Sequence, residues 1–280
     1  MLLTAPRFAL PETVAEAVAA LADRPEATVL AGGTEVLPDL LWQRRSAAGF
    51  VSLRRIRSLR SVATDGSLGA CMTASQLEHG PVPGLARAAA SLGSPLVRTE
   101  ATLGGNIGSA LPYRNLLPVL LALDAVLVLT SAAGDREVPF DGFVTAPGRT
   151  GLRPGELVTA ARVPSIAGFQ DYVKVGRRNA QYVATVSAAV VVDPGARRVR
   201  LAFGNAGPTP WRLDEADAVA TAAVDWASGA VDPAGAAEAA ELVRRGCDPP
   251  DDDAAGADYR RHALGVLTHR ILLRAGGADD

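Results

Sequence analysis

Two glycine pairs about seventy residues apart constrain the fold and function of this chain more than any other feature of its sequence. The first lies in residues 31–35, Ala-Gly-Gly-Thr-Glu, and the second in residues 101–106, Ala-Thr-Leu-Gly-Gly-Asn. A glycine lets backbone N–H groups approach an anion closely, and a nearby threonine hydroxyl adds a further hydrogen bond. The two segments together predict a site in which one diphosphate lies between two loops.

The glycine pairs also have a simpler interpretation, because two adjacent glycines in a loop usually form an ordinary turn. Neither segment has the glycine spacing of a Rossmann or Walker nucleotide site. The repetition favours a phosphate site, since each segment follows a predicted strand, which for the first is Thr28–Leu30. A helical turn is expected at 35–41, although Pro38 limits its regularity.

Composition excludes several classes of protein. The chain has 280 residues, 48% of them hydrophobic, and a formal net charge of −2, which predicts a globular protein without electrostatic preference for nucleic acid or an anionic membrane. Its two cysteines, Cys71 and Cys247, are too few for a four-cysteine zinc site or an iron–sulfur cluster. We see no signal peptide, and the longest apolar stretch, 116–129, is too short to span a bilayer. We therefore expect a cytoplasmic protein with no membrane insertion.

The order of the predicted elements divides the chain into three parts. Residues 1–60 predict a small α/β lobe, residues 61–165 a second lobe rich in strands, and residues 166–280 an antiparallel meander followed by helices. The meander strands are expected at 172–175, 183–192 and 199–203, and the helices at 215–223, 234–245 and 259–273. The predicted fold class is therefore α+β.

Residues that commonly perform catalysis or bind metals form no recognisable group. The three histidines, His79, His262 and His269, do not have the spacing of a metal triad, and no Gly-x-Ser-x-Gly elbow is present. Neither cysteine lies in a recognisable nucleophile context, and no carboxylate pair stands out in a loop. We therefore predict no catalytic residue and no metal site, and a binding site for a phosphate-containing ligand.

Six short motifs are distributed along the chain, at residues 31–38, 101–107, 120–125, 154–158, 174–180 and 208–212. Their order and spacing resemble the FAD-binding medium subunit of the molybdenum hydroxylases, the family of xanthine dehydrogenase and carbon monoxide dehydrogenase. The resemblance covers nearly the whole chain. It implies a two-lobed FAD-binding domain of the vanillyl-alcohol oxidase (PCMH) type, followed by a C-terminal three-stranded antiparallel sheet with helices.

The resemblance also implies where the cofactor binds. FAD would lie extended between the lobes with its diphosphate on the two glycine pairs, while Leu157 packs near the flavin or adenine and Lys174 lies near the isoalloxazine. The residues implied to bind FAD are Ala31, Gly32, Gly33, Thr34, Glu35, Val36, Leu37, Ala101, Thr102, Gly104, Gly105, Asn106, Asn115, Leu157 and Lys174. Neither loop contains a histidine or cysteine that could bond to the flavin, so we expect FAD to be non-covalent.

The chain departs from the family pattern at two places. The family often has Gln-Ile-Arg-Asn before the second glycine pair, where this chain has Leu-Val-Arg-Thr at 96–99. An aspartate that commonly follows the second pair is replaced by Asn115, which is preceded by Tyr113 and Arg114. The replacement removes a negative charge near the cofactor, although an asparagine still donates and accepts hydrogen bonds.

The resemblance implies an FAD-dependent oxidoreductase subunit that passes electrons from iron–sulfur clusters on a partner chain, through FAD, to NAD, a quinone or oxygen. The implied partners are a molybdopterin-binding large subunit and a [2Fe-2S] small subunit, in a heterotrimer or its dimer. Two alternatives stay open. One is a free-standing FAD-dependent oxidoreductase with its own small-molecule substrate, and the other is a non-catalytic nucleotide-binding module.

Overall fold

The N-terminal part of the chain forms a three-stranded parallel sheet. A computed structural model describes residues 7–178 and 181–277. The first elements are β1 (Arg7–Ala9), α1 (Val14–Asp23), β2 (Thr28–Leu30), α2 (Val36–Leu41) and β3 (Gly49–Ser52). Strand β3 lies between β1 and β2 and pairs with both in parallel. Helix α1 begins where the Thr13 side chain accepts a hydrogen bond from the Glu16 amide, and its apolar face packs on this sheet.

The middle part combines an antiparallel sheet with short helices. Its elements are β4 (Leu68–Gly69), α3 (Ala74–Glu78), α4 (Pro83–Ala90), α5 (Pro95–Arg98), α6 (Leu103–Ser109), α7 (Leu116–Ala122), β5 (Val126–Ser131), β6 (Gly134–Pro139), β7 (Val144–Ala146), β8 (Arg149–Thr150) and β9 (Leu157–Arg162). Four of the strands form one sheet in the order β4-β9-β5-β6. Every residue of α7 is buried, which explains why its sequence is apolar on all sides rather than amphipathic.

The C-terminal part confirms the predicted three-stranded antiparallel sheet with helices. Its elements are β10 (Gln170–Val175), β11 (Val186–Asp193), β12 (Arg198–Gly204), α8 (Asp214–Ala222), α9 (Pro233–Gly246) and α10 (Ala257–Ala275). In β11, Ala188 and Val190 face the helices α8–α10, while Ala189 and Val191 face the core of the middle part. Because successive side chains of a strand point to opposite faces, this sheet is buried on both sides. The predicted α+β fold class is therefore confirmed.

One local prediction is wrong. The residues before the second glycine pair do not form a strand, because Pro95–Arg98 is a helical turn. Ser94 stabilises the start of that turn by accepting a hydrogen bond from the Val97 amide at 3.3 Å. The second glycine pair itself lies in the first turn of α6 rather than in a loop. Asn179 and Ala180, which belong to one of the sequence motifs, lie outside the described residues.

The division into parts 1–60, 61–165 and 166–280 remains a proposal. One apolar cluster of the N-terminal part includes Cys71 and Leu157, so its packing extends beyond residue 60. In the ranges 7–178 and 181–277, no helix combines the length and the apolar character needed to cross a membrane.

The two glycine-containing segments touch through Gly32. A Cβ atom built on Gly32 would lie 1.7 Å from the carbonyl oxygen of Glu100, so no residue with a side chain fits there without movement of the main chain. Gly108 in α6 provides a matched contrast, since a Cβ at that position would meet nothing within 4 Å. Alanine substitutions at Gly32 and Gly108 therefore distinguish the effect of a steric clash from the effect of reduced backbone flexibility.

We expect Gly32→Ala to lower the free energy of unfolding by about 1–3 kcal/mol, the usual cost of forcing a methyl group into a packed site. Gly108→Ala should leave it unchanged or raise it by roughly 0.5–1 kcal/mol, because alanine is the better helix former. Urea denaturation of the two variants and the parent measures both values. Equal unfolding free energies for the Gly32→Ala variant and the parent would contradict the contact.

A partly buried ion pair connects the turn before β9 to strand β6. Glu156, whose side chain is 6% exposed, accepts hydrogen bonds from Arg136 at 2.6 and 2.7 Å and from the Arg153 amide at 2.7 Å. The hydrogen-bonded Arg136 guanidinium lowers the pKa of Glu156 from 4.5 to about 2. The folded protein thus binds this proton more weakly than the unfolded chain does. The resulting stabilisation is complete above pH 4.5 and is lost as the pH falls through 2.

We expect Glu156→Gln to lower the free energy of unfolding at pH 7 by about 1.5–3 kcal/mol, the range for hydrogen bonds to charged groups. The variant should also lose part of the pH dependence of stability between pH 4.5 and 2. Glu137→Gln is the control, because Glu137 pairs with Arg162 on the exposed surface and should contribute less than about 1 kcal/mol. Chemical denaturation across this pH range tests both. A pH profile of the Glu156→Gln variant parallel to that of the parent would refute the role of the pair.

Candidate functional site

A cleft of about 340 Å³ lies between the two glycine-containing segments. Its walls include the loop after β2, the start of α6 and the beginning of β9. This volume is at the lower end of the range for small-molecule sites, roughly 300–1,000 Å³. The sequence-predicted residues in its wall are Ala31, Gly32, Gly33, Thr34, Glu35, Val36, Thr102, Gly104, Gly105, Asn106 and Leu157. The structure therefore brings both glycine pairs to one cleft.

The loop after β2 presents free backbone amides to this cleft. Gly33 has φ of 71°, in the left-handed region that favours glycine, and the chain then turns into α2. Among the described residues, no acceptor receives a hydrogen bond from the amides of residues 32–36. Consecutive unpaired N–H groups at such a turn form an anion-binding concavity. Phosphate binding at this loop stays a prediction, with which the free amides are compatible.

The second glycine pair differs from that expectation, because its amides are already used. The Leu103 amide donates to the Met72 carbonyl at 2.9 Å, and the Gly104 amide donates to the Ala70 carbonyl at 2.6 Å. The Gly105 amide donates to the Thr102 hydroxyl oxygen at 3.0 Å. A Cβ on Gly104 would lie 2.9 Å from the Ala70 carbonyl oxygen, so this glycine allows α6 to pack against β4.

Side chains, rather than amides, form the polar surface of the second segment. The Thr102 oxygen accepts from Gly105 and its hydroxyl proton remains available to donate. Asn106 is 5% exposed, and its Nδ2 donates to the Thr102 carbonyl at 3.2 Å. Its Oδ1 is buried and has no hydrogen-bond partner within residues 7–178 and 181–277. A buried acceptor of this kind normally receives a hydrogen bond from protein, water or ligand, so Asn106 points to a donor group on a bound molecule.

A second cavity of about 160 Å³ adjoins the cleft, and both are lined by Thr34, Asn106 and Arg114. Its wall also includes the aromatic residues Tyr113 and Tyr182. Burial raises the pKa of Tyr113, which keeps its phenol neutral. The two cavities are therefore neighbours that share part of their walls.

Four predicted residues lie outside the cleft wall. Ala101 and Asn115 line the second cavity, and the half-exposed Leu37 packs beside Gly33. The side-chain Nδ2 of the buried Asn115 donates to the Ser91 hydroxyl at 3.0 Å and to the Ala88 carbonyl at 3.3 Å, so this residue connects α7 to α4.

Lys174 is likewise engaged by the protein and lines neither cavity. Its Nζ donates to the carbonyls of Ser91 at 2.6 Å and Tyr182 at 3.0 Å. Burial lowers the pKa of the Lys174 ammonium group. Tyr182 lines the second cavity, as does Leu92, which follows Ser91 in the chain. Lys174 therefore connects two segments of that cavity's wall from outside the cavity.

The structure adds residues that sequence reasoning assigned no role. Cys71 lies in the cleft wall, where burial raises the pKa of its thiol to about 11 and keeps it protonated. Arg114 and Glu35 form an ion pair across the cleft. The sequence drew attention to Arg114 only because it directly precedes Asn115, which replaces the family's aspartate. No group of three metal-ligating side chains occurs within the described ranges.

Comparison with known proteins identifies the fold and its family. Residues 5–166 match the family model described as the FAD binding domain in molybdopterin dehydrogenase, and residues 171–275 match the CO dehydrogenase flavoprotein C-terminal domain. The chain is 32% identical to the xanthine dehydrogenase FAD-binding subunit of Escherichia coli O157:H7, over 95% of this chain and 94% of that protein. It is also 32% identical to the carbon monoxide dehydrogenase medium chain of Hydrogenophaga pseudoflava, over 95% and 96% of the two chains.

Solved structures agree with this assignment. A chain of quinoline 2-oxidoreductase from Pseudomonas putida 86 superposes with a TM-score of 0.88 at 27% identity, covering 99% of each chain. A chain of the Hydrogenophaga pseudoflava carbon monoxide dehydrogenase superposes with a TM-score of 0.87 at 30% identity, again over 99% of each. The chain therefore belongs to the FAD-binding subunits of the molybdopterin-dependent dehydrogenases, the family that also includes the medium chains of carbon monoxide dehydrogenase.

Proposed function

We propose that this chain binds FAD non-covalently in the cleft and transfers electrons from a partner's [2Fe-2S] clusters, through FAD, to NAD, a quinone or oxygen. The observation that carries the proposal is the run of amides at residues 32–36, which have no acceptor in the described part of the chain and line a cleft large enough for a small molecule. A diphosphate supplies the acceptors that these amides lack. FAD, when bound, supplies the redox chemistry, and the protein supplies binding and orientation.

The two segments have different tasks in this proposal. The amides of residues 32–36 bind the diphosphate, while Thr102 and Asn106 bind the polar chain that leads to the flavin ring. The Thr102 hydroxyl donates to a ligand oxygen, and the orphaned Asn106 Oδ1 accepts from a ligand hydroxyl. The second cavity, with Tyr113 and Tyr182 in its wall, receives the isoalloxazine ring.

The remaining predicted residues act indirectly in this proposal. Leu157 is 3% exposed and supplies an apolar part of the cleft wall. Asn115 and Lys174 support the second cavity through their hydrogen bonds to Ser91 rather than through contact with the flavin. The neutral Cys71 thiol is a poor nucleophile, which supports non-covalent binding.

We further propose that the chain works in a complex with a molybdopterin-binding large subunit and a [2Fe-2S] small subunit, as a heterotrimer or its dimer. Relatives that match along nearly their full length are named as a FAD-binding subunit and a medium chain. The two cysteines of the whole sequence are too few for such clusters, so the electrons must come from another chain. The cytoplasmic location remains a prediction from the sequence.

The purified protein should release FAD, and not FMN, when it is denatured, because the unpaired amides match a diphosphate and FMN has a single phosphate. Chromatography of the supernatant after acid precipitation identifies the flavin. Recovery of FMN alone, or flavin retained by the precipitated chain, would contradict the proposed site. A protein that binds neither flavin with its cleft intact would support the non-catalytic module.

The isolated chain should exchange electrons only through its flavin and have no hydroxylase activity. Dithionite should bleach the flavin absorbance, because the bound flavin can itself accept electrons. Aldehydes and aromatic heterocycles should not bleach it under anaerobic conditions until the molybdenum and iron–sulfur subunits are added. Anaerobic stopped-flow spectroscopy with and without those subunits makes the measurement. Rapid bleaching by an organic substrate in the isolated chain would instead identify a free-standing flavoenzyme.

A further inference from the structure

Arg114 lies at the junction of the two cavities, and the function proposed above assigns it no task. It belongs to the segment between α6 and α7, and its side chain is 19% exposed. Its Nε donates to the Ser109 hydroxyl at 2.9 Å, and its Nη2 donates to the Glu35 carboxylate. Because Glu35 follows the first glycine pair and Ser109 ends α6, Arg114 connects the two sides of the cleft.

The Arg114 guanidinium has N–H groups that are not used in these two hydrogen bonds. These two contacts use two of its five N–H groups, and no other acceptor among the described residues receives the remaining three. Its Nη1, which has no partner among the described residues, is not one of the fully buried atoms, so this nitrogen is accessible. The Tyr113 ring, whose centroid is 5.2 Å from Cζ, further restricts the plane of the guanidinium. A fixed guanidinium of this kind binds phosphate oxygens in pairs.

The cleft wall contains two cations, Arg45 and Arg114, beside three acidic side chains. The acidic side chains in its wall are Glu35, Asp39 and Glu156, and Glu156 is already paired with Arg136. A diphosphate on the amides of residues 32–36 would lie beside the Glu35 carboxylate. Neighbouring negative charges repel strongly in a partly buried site. Arg114 is the cation in direct contact with Glu35, so it is placed to neutralise both anions.

We propose that Arg114 is a ligand of the FAD diphosphate and that Glu35 and Ser109 orient it, an inference that rests on the function proposed above. Arg114 keeps its contact with Glu35 and donates its remaining N–H groups to phosphate oxygens. This arrangement explains how an acidic residue can directly follow an anion-binding loop. It also makes the site selective for a flavin with a diphosphate over phosphate-free riboflavin.

Fluorescence titration of the flavin-free protein with FAD and with riboflavin tests the proposal. Arg114→Gln should weaken FAD binding by about ten- to a hundredfold, the range for a lost hydrogen bond to a charged group. Riboflavin binding should change by less than about twofold, and the salt dependence of FAD binding should become shallower. Unchanged FAD affinity, or an equal loss for riboflavin, would overturn the role of Arg114 as a phosphate ligand.

Two further variants distinguish a lost phosphate contact from a general change in charge. Arg114→Gln leaves Glu35 unpaired, and its repulsion alone would weaken FAD binding. The double variant Glu35→Gln with Arg114→Gln removes that repulsion. The loss of FAD affinity should persist there, and recovery to the parent value would overturn the proposal. Arg270→Gln makes the same change in net charge at an exposed residue of α10 that lines neither cavity, and should bind FAD like the parent.

The outcome for the parent protein separates this inference from the proposed function. If the parent binds FAD tightly and Arg114→Gln does so equally, the inference fails and the proposed function stands. If the parent binds no FAD, the proposed function itself fails. Circular dichroism and thermal denaturation of each variant verify that the fold is intact, and Arg114→Lys, which keeps the charge but not the planar donor pair, should recover only part of the affinity.

Discussion

The close approach of Gly32 to the Glu100 carbonyl is the contact on which the cleft depends. It joins the main chain of the N-terminal part to the main chain just before α6, with no side chain between them. This proximity allows Glu35 to reach Arg114, and it places Thr34 beside Asn106 in the walls of both cavities. A longer separation would leave two unconnected surfaces rather than one site.

The two glycine pairs serve different physical needs despite their similar sequences. In the first, Gly33 provides the left-handed backbone that exposes the amides of residues 32–36. In the second, Gly104 permits close packing against the Ala70 backbone, and the amides of residues 103–105 already donate hydrogen bonds within the protein. In the proposed FAD site, the first segment thus supplies backbone amides and the second supplies side chains.

A rigid scaffold supports this divided site. The sheet β10–β12 is buried between α7 and the helices α8–α10, which fixes the C-terminal part against the middle part. Lys174 and Asn115 extend that scaffold, because both bind Ser91 at the end of α4. Their buried hydrogen bonds hold the wall of the second cavity in place. Under the proposed function, residues in such positions would affect the cofactor through the shape of its site rather than through contact.

The order of residues was enough to predict the α+β class, the C-terminal sheet, the family and the proximity of the two glycine pairs, which line one cleft. Periodic apolar strands and a local motif such as residues 31–35 carry that information in neighbouring residues. The folded chain was needed to learn which amides are free, that Lys174 bonds to carbonyls, and that Arg114 meets Glu35. Each of these outcomes depends on hydrogen-bond partners that are distant in the sequence, so no local pattern encodes it. A polar group's role follows from the partner that folding brings to it.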